Sequence, residues 1–250
     1  KMHIKTFLNI SPSKLLKMSF LLVLLFPCRV LLSQRNVKDS TIATPLVGVQ
    51  YGFNQPAYDL ASRYGYFNYI GILAGYKTKH NLFWGVDANF MFGNQIKAKG
   101  LFDNLIDSYG NITDVNGDIA KVMVYARGFH VNAALGKIIP VFSPNKNSGI
   151  FIHGGIGYML HHLRIETQDQ VIPLLELEYK KGYDHLAAGV NFHQFVGYSF
   201  MSNGGFFNFY AGFYFQQGFT KNQRTLFFDQ PQVPVPTNTR KDFLYGVRVG

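Results

Sequence analysis

Eight histidines are the residues of this chain that most invite a chemical reading. His130, His153 and His193 fall on different alternating segments, on faces they share with glycine and asparagine, and could converge on a metal ion. Spacing excludes the other pairs. His153 and His161 share a face but stand about 26 Å apart along an extended strand. His161 and His162 are neighbours and point to opposite faces. The alternative for all of them is polar filler on the inner face of a sheet. A hydrolase needs a nucleophile, a base and an orienting group within reach of one another. Ser199 and His193 share a face at about 20 Å, and the chain has no Gly-x-Ser-x-Gly or His-Glu-x-x-His run. Gly154-Gly155-Ile156-Gly157 is not a phosphate loop, because no helical segment follows it. The sequence therefore assigns no catalytic residue, no metal ligand and no cofactor.

The elements that carry these residues alternate with a period of two. In 82–93, Leu82, Trp84, Val86, Ala88, Phe90 and Phe92 share one face, and Phe83, Gly85, Asp87, Asn89, Met91 and Gly93 the other. That is a strand. Its large rings point inward in a soluble sandwich and into lipid in a membrane barrel, and this strand alone does not decide between them. Seven more segments follow the same rule: 44–54, 66–77, 120–137, 149–164, 183–200, 206–219 and 241–250. In 206–219, Phe207, Phe209, Ala211, Phe213 and Phe215 oppose Asn208, Tyr210, Gly212, Tyr214 and Gln216.

The connections decide the matter. In chain order they run long, short, long, short, long, short, long. Membrane barrels alternate long external loops with short periplasmic turns in this way. The segments are also longer than the usual soluble strand of roughly 5–6 residues and suit a tilted bilayer crossing. The fold expected is all-β: an eight-stranded antiparallel transmembrane up-and-down barrel over 44–250. Its apolar faces meet lipid, with Trp84, Tyr76, Tyr158 and Tyr198 in the interfacial girdles. A soluble lipid-binding barrel would turn the same rings inward and overfill an eight-stranded interior.

This placement gives the polar residues a common destination. Gln50, Asp87, Asn89, His130, Asn132, Asn191, His193 and Arg248 would face a narrow lumen, where each needs a partner. Inward glycines leave room for Tyr69, Tyr210, Tyr214 and Met91. Asp87 and Arg248 carry opposite charge and could pair, although periodicity does not fix their relative heights.

Composition agrees. Aromatics make up 16% and charged residues 15%, against about 25% charged in an average soluble domain. Residues 1–33 hold Lys1, Lys5, Lys14, Lys17 and Arg29 and no acid, so half of the net charge of +10 lies there. That leaves no dense basic cluster for nucleic acid. Lys14 and Lys17, then the short apolar run 18–25, then Ser33 read as a secretory signal over 1–33, with Met2 and Met18 as alternative starts. The run is too short for a spanning helix. Cys28, the single cysteine, falls inside this signal. Residues 34–43 form a polar periplasmic lead.

The signal, the eight long alternating strands and the Gly-rich aromatic terminal strands resemble the small outer-membrane barrels of the OmpA/OmpX-like class. Tyr179-Lys180-Lys181-Gly182-Tyr183-Asp184-His185-Leu186 and Asp242-Phe243-Leu244-Tyr245-Gly246 resemble the PorT-like barrels, some of which are tied to type IX secretion. The resemblance implies a Gram-negative outer membrane, contact with its lipid and no enzymatic activity. Such barrels usually end in an aromatic residue, so the last strand, ending at Gly250, is expected to lack its final residues. Function is expected in the external loops. Leu174-Leu175-Glu176-Leu177 would cap the mouth or meet a protein partner, Leu101–Ile106 would form a short helix, and Arg224–Phe228 with the proline run would form a flexible arm. The resulting function is a non-catalytic barrel for structural or partner interaction, with a role accessory to secretion. The alternatives are a narrow porin-like pore and, behind it, a membrane-embedded lipid hydrolase or protease. The oligomeric state is not readable.

Overall fold

Alternation of apolar and polar residues builds eight strands that close on themselves. The computed structural model describes residues 37–250, apart from 39, 169, 177, 205 and 206. The secretory signal expected over 1–33 lies outside the described residues. The strands are β1 (Thr44–Tyr58), β2 (Phe67–Lys77), β3 (Leu82–Gly93), β4 (Met123–Ile139), β5 (Gly149–Glu166), β6 (Ala187–Met201), β7 (Asn208–Asn222) and β8 (Arg240–Val249). Each pairs antiparallel with its chain neighbours, and β1 closes onto β8 from Tyr51 opposite Val249 to Tyr58 opposite Asp242. The chain is an eight-stranded antiparallel up-and-down barrel. The loops 59–66, 94–122, 167–186 and 223–239 lie at one end, and the turns 78–81, 140–148 and 202–207 at the other. Among the described residues no helix is long and apolar enough to cross a membrane, which has no bearing on strands.

Several boundaries depart from the periodicity. β1 runs through Pro56 where the sequence reads a loop. Past Asn54 it pairs only with β8, an edge-like setting in which proline is tolerated. A short helix α1 (Asp59–Arg63) follows. β6 begins at Ala187 rather than 183, because His185 takes a left-handed backbone (φ 48°) and turns Tyr183–Leu186 into the outer loops. Residues 101–105 form successive turns, not a helix. Leu105 N–H donates to the Phe102 carbonyl at 2.8 Å, while the Asn104 amide leaves for Tyr183 Oη at 2.8 Å.

The two wall faces differ in character. The outer face exposes large apolar side chains around the whole ring, among them Val47, Val49, Trp84, Val131, Leu135, Ile156, Phe213 and Val247. Rings gather toward its two ends: Tyr76 beside Trp84 (6.2 Å) and Phe200 beside Phe209 (5.4 Å) at the short-turn end, Phe53 beside Tyr66 (5.3 Å) and Phe219 beside Phe243 (5.7 Å) at the other. One polar pair interrupts the belt. Gln194 and Gln217 exchange two amide hydrogen bonds of 3.0 Å across β6 and β7.

The inner face is packed. Tyr69, Phe83, Met91, Phe151, Phe195 and Tyr214 are all buried. Glycine makes the space for these rings: Gly75 on β2 faces Gly85 on β3, and a Cβ on Gly85 would stand 2.7 Å from the Gly75 Cα. Gly85→Val is therefore expected to lower barrel stability by about 1–3 kcal/mol or more through overpacking, read as a lower denaturant midpoint than wild type.

Candidate functional site

The lumen is built in layers. Nearest the short-turn end, Phe83, Phe151, Phe195 and Tyr210 pack together: Phe83–Phe151 and Phe195–Tyr210 meet edge to face, each with centroids 5.6 Å apart, and Phe151–Phe195 is tilted at 5.9 Å. Above them sits a polar layer centred on Asp87. Register places Asp87 on β3 opposite Asn132 on β4, and the curvature of the ring brings Arg248 of β8 across to it. Arg248 Nη1 donates to Asp87 Oδ2 at 2.7 Å. Gln50 Nε2 donates to Asp87 Oδ1 at 2.8 Å, and Asn89 Nδ2 donates to the same oxygen. Tyr210 Oη–H donates to Gln50 Oε1 at 2.5 Å, tying the polar layer to the rings below.

Arg248 has a second support. Its guanidinium carbon lies 3.4 Å from the Tyr214 ring centroid, so the cation rests on the negative face of the ring. Its Nε and Nη2 have no hydrogen-bond partner among the described residues. The ion pair is fully buried. In a low-dielectric interior, removing one member leaves the other uncompensated, which costs more than removing both.

The histidines occupy the rest of this layer. Asn89 Nδ2 lies 2.8 Å from His130 Nε2, and since the amide nitrogen can only donate, that ring nitrogen accepts. His130 and His193 face opposite oxygens of Asp87, at 3.9 and 3.7 Å. His153 Nδ1 meets His193 Nε2 at 3.3 Å, and its ring stacks on Phe195. Among the described residues no three His, Cys, Asp or Glu side chains are arranged to hold a metal ion. Asn132, although opposite Asp87 in register, joins Asn191 instead, their amides 2.8 Å from one another, with Gln216 Nε2 at 3.1 Å from Asn191. The structure therefore brings Gln50, Asp87, Asn89, His130, His193 and Arg248 together and sets Asn132 and Asn191 in a neighbouring pair.

A second buried cluster, at the long-loop end, has no counterpart in the sequence reading. His161 Nε2 lies 3.0 Å from Asp242 Oδ2, and Tyr64 Oη lies 3.1 Å from His161 Nδ1. Thr220 Oγ1 donates to Asp242, and Arg240 Nη2 reaches its other oxygen at 3.1 Å. With the His161 Nε2–H donated to the carboxylate, Nδ1 accepts from Tyr64. Burial pushes the Tyr64 phenol well above its usual range, so it keeps the proton it donates. Burial, then the neighbouring Arg240 charge, lower the Arg63 guanidinium, which is held by the His185 carbonyl at 2.7 Å and Asn222 Oδ1 at 2.8 Å. An acid, a base and a hydroxyl are in line here, but Tyr64, His161 and Asp242 are completely buried. The line fastens the 59–66 loop to the upper ends of β5, β7 and β8.

The run 179–186 is the hub of the outer mouth. Asp184 takes Arg224 in two bonds, Nε at 3.0 Å and Nη2 at 2.5 Å, and that hydrogen bonding raises the Arg224 pKa. The His185 ring stacks on Phe227 at 4.1 Å and meets Asp229 at 3.0 Å. Phe228 N–H donates to the Gly182 carbonyl at 2.9 Å. Arg224–Phe228 is therefore anchored, in contrast to the flexible arm expected of it. Leu175 and Ile172 turn into the same apolar cluster as Leu101, Leu163, Ile165 and Tyr183, while Leu174 stays exposed.

The opposite mouth is held by Lys77 and Asn147. Lys77 Nζ donates to the Ile42 carbonyl at 2.7 Å and to Asn147 Oδ1 at 2.8 Å. Asn147 Nδ2 donates to the Val37 and Ser40 carbonyls. Val37, Ser40 and Ile42 are thus held at the short-turn end by two side chains. Both are polar residues next to turns, which gives a sequence reading no reason to single them out.

Closure, an apolar outer wall and a polar lumen define the class: a small eight-stranded antiparallel up-and-down β-barrel. Among solved structures the chain is similar to Neisserial surface protein A, with 13% identity, 83% of this chain and 97% of that chain covered, and a TM-score of 0.39. It is also similar to Ail, the attachment invasion locus protein of Yersinia pestis, solved with the heparin analogue sucrose octasulfate. There the identity is 9%, the coverage 82% of this chain and 96% of that chain, and the TM-score 0.35. No protein-family model and no curated protein matches the chain.

Two outcomes check this geometry. Arg248→Met alone is expected to cost about 3–5 kcal/mol, whereas Asp87→Asn combined with Arg248→Met costs less than the two single changes summed; equilibrium unfolding of the four proteins of the cycle reads the coupling. Asp184→Ala is expected to release the 223–229 segment, so that trypsin cuts at Arg224 several-fold faster while the barrel itself stays folded.

Proposed function

We propose that this chain is a non-catalytic integral outer-membrane barrel with a filled lumen, and that it acts through the surface of its capped external loops. The carrying observation is the outer wall. A soluble barrel would have to hold Phe213, Leu135, Trp84 and Val49 in water, each more than half exposed. In hydrocarbon the same side chains are at home, and a closed ring leaves no backbone group unpaired there. The layered interior supports a stabilising role for Gln50, Asp87, Asn89, His130, Asn132, Asn191, His193 and Arg248 rather than a conducting one. Rings and ion pair occupy the cross-section at several heights.

The loops are the part suited to partners. They are fastened by Asp184–Arg224 and by the apolar cluster around Leu175, so they present a shaped surface. The likeness of 179–186 and 242–246 to PorT-like barrels supports the finer reading, a role accessory to secretion after export by the signal at 1–33. The test is electrophoretic mobility in dodecyl sulfate with and without heating, together with planar-bilayer recording. The expected result is a heat-dependent mobility shift and no stepwise conductance. A freely soluble product with one mobility overturns the membrane reading, and steady unitary currents overturn the filled lumen.

A further inference from the structure

On the outward face of β5 the residues Ile150, Ile152, Ile156, Tyr158 and Leu160 form an apolar run that ends abruptly at His162 and Arg164. β4 changes at the same height: Phe129 pairs with Leu160, Arg127 with His162, and Tyr125 with Arg164. From Ile150 to Leu160 the strand rises about 33 Å. At the usual tilt this becomes an apolar band about 25 Å tall, the height of an outer-membrane hydrocarbon layer. The switch from apolar to cationic therefore falls where acyl chains end and headgroups begin on the long-loop side.

Directly above the switch lies a cleft of about 570 Å³ between upper β5 and the 179–184 run. Its cations are Arg164, Lys180 and Lys181, with His162 beside them. Arg127 is the diagonal neighbour of Arg164 across the β4–β5 pair. Two acids also line it. Asp184 is committed to Arg224, and Glu166 meets Arg164 at 2.8 Å in a half-exposed pair that gains little over solvation. Lys181 meets Glu178 at 2.6 Å in a still more exposed pair. Lys180 has no ion pair among the described residues, and Arg127 has no carboxylate partner: its Nη1 bonds the Ala126 carbonyl at 2.9 Å and its guanidinium lies over the Tyr125 ring.

We propose that this cleft binds the phosphate of an anionic membrane lipid in the leaflet facing the long loops. The inference rests on the membrane-barrel reading above. Two features favour a lipid over a free anion. Arg127 and Arg164 lie on the outward faces of β4 and β5, toward the surrounding leaflet rather than the lumen, and Lys180 lies in the loop that lines the same cleft. Immediately below them, Phe129, Tyr158 and Leu160 form an apolar wall against which acyl chains can lie.

The experiment reconstitutes the full chain into phosphatidylcholine nanodiscs containing a minor fraction of phosphatidic acid, and measures by native mass spectrometry the lipid that stays bound. Wild type is expected to retain phosphatidic acid over phosphatidylcholine. Enrichment should fall about five-fold for each cation removed in Arg127→Gln, Arg164→Gln and Lys180→Gln, singly and combined. The Lys180→Gln protein changes only a loop side chain and keeps the test open if the triple variant does not fold. Excess inorganic phosphate should leave the enrichment in place. Displacement by phosphate, or equal enrichment in wild type and the triple variant, overturns the lipid site. A chain that enters nanodiscs with no lipid preference overturns this inference alone, whereas one that never enters them overturns the barrel reading as well.

Discussion

Closure of β1 onto β8 gives every strand two hydrogen-bonded neighbours, and the chemistry of both wall faces follows from that. Because the backbone is satisfied within the ring, the outer face has no need of polar side chains and can be given over to Val, Ile, Leu and Phe. The inner face then receives Gln50, Asp87, Asn89, His130, Asn132, His153, Asn191, His193, Gln216 and Arg248, all buried. An eight-stranded ring is only wide enough for side chains to fill, so those groups must find one another. Asp87 shows the result: its two oxygens are met by Arg248, Gln50 and Asn89, drawn from three different strands.

The lumen alternates between layers that exclude water and layers that bind charge. The rings around Phe151 lie beneath the Asp87–Arg248 pair, and the Tyr64–His161–Asp242 line lies above it. Each charged layer is thereby shielded on at least one side by apolar matter, which strengthens its hydrogen bonds and raises the penalty for leaving any of them unmade. The outer loops extend this pattern. The 179–186 run joins the barrel rim to the 223–229 segment through Asp184 and His185, so the external surface is coupled to the barrel that bears it.

Much of this was legible in the sequence, for reasons that can be named. Strand existence depends on a local period of two, and that period over 82–93 coincides with the bounds of β3. The inward direction of Asp87 and Arg248 followed from the same period. Their meeting did not, because the relative height of β3 and β8 depends on the stagger accumulated around the ring. The Tyr64–His161–Asp242 line escaped for a related reason. Tyr64 lies in a loop whose path no period describes, and Asp242 begins a strand where a carboxylate looks like an exposed end residue. Leu101–Ile106 has helical spacing, yet Asn104 gives its amide to Tyr183 and the backbone settles into turns. In each case a partner distant in sequence outweighed a local preference.

The paired amides of Gln194 and Gln217 bear on how such a wall is assembled. A strand that entered hydrocarbon alone with a bare carboxamide would carry an unmet donor and acceptor, at a cost of a few kcal/mol. Once β6 and β7 lie side by side, each amide satisfies the other at 3.0 Å. On the membrane-barrel reading proposed above, crossing would be cheapest for these two strands after they have met, which makes the β6–β7 pair, rather than the single strand, the unit that hydrocarbon accepts at this part of the ring.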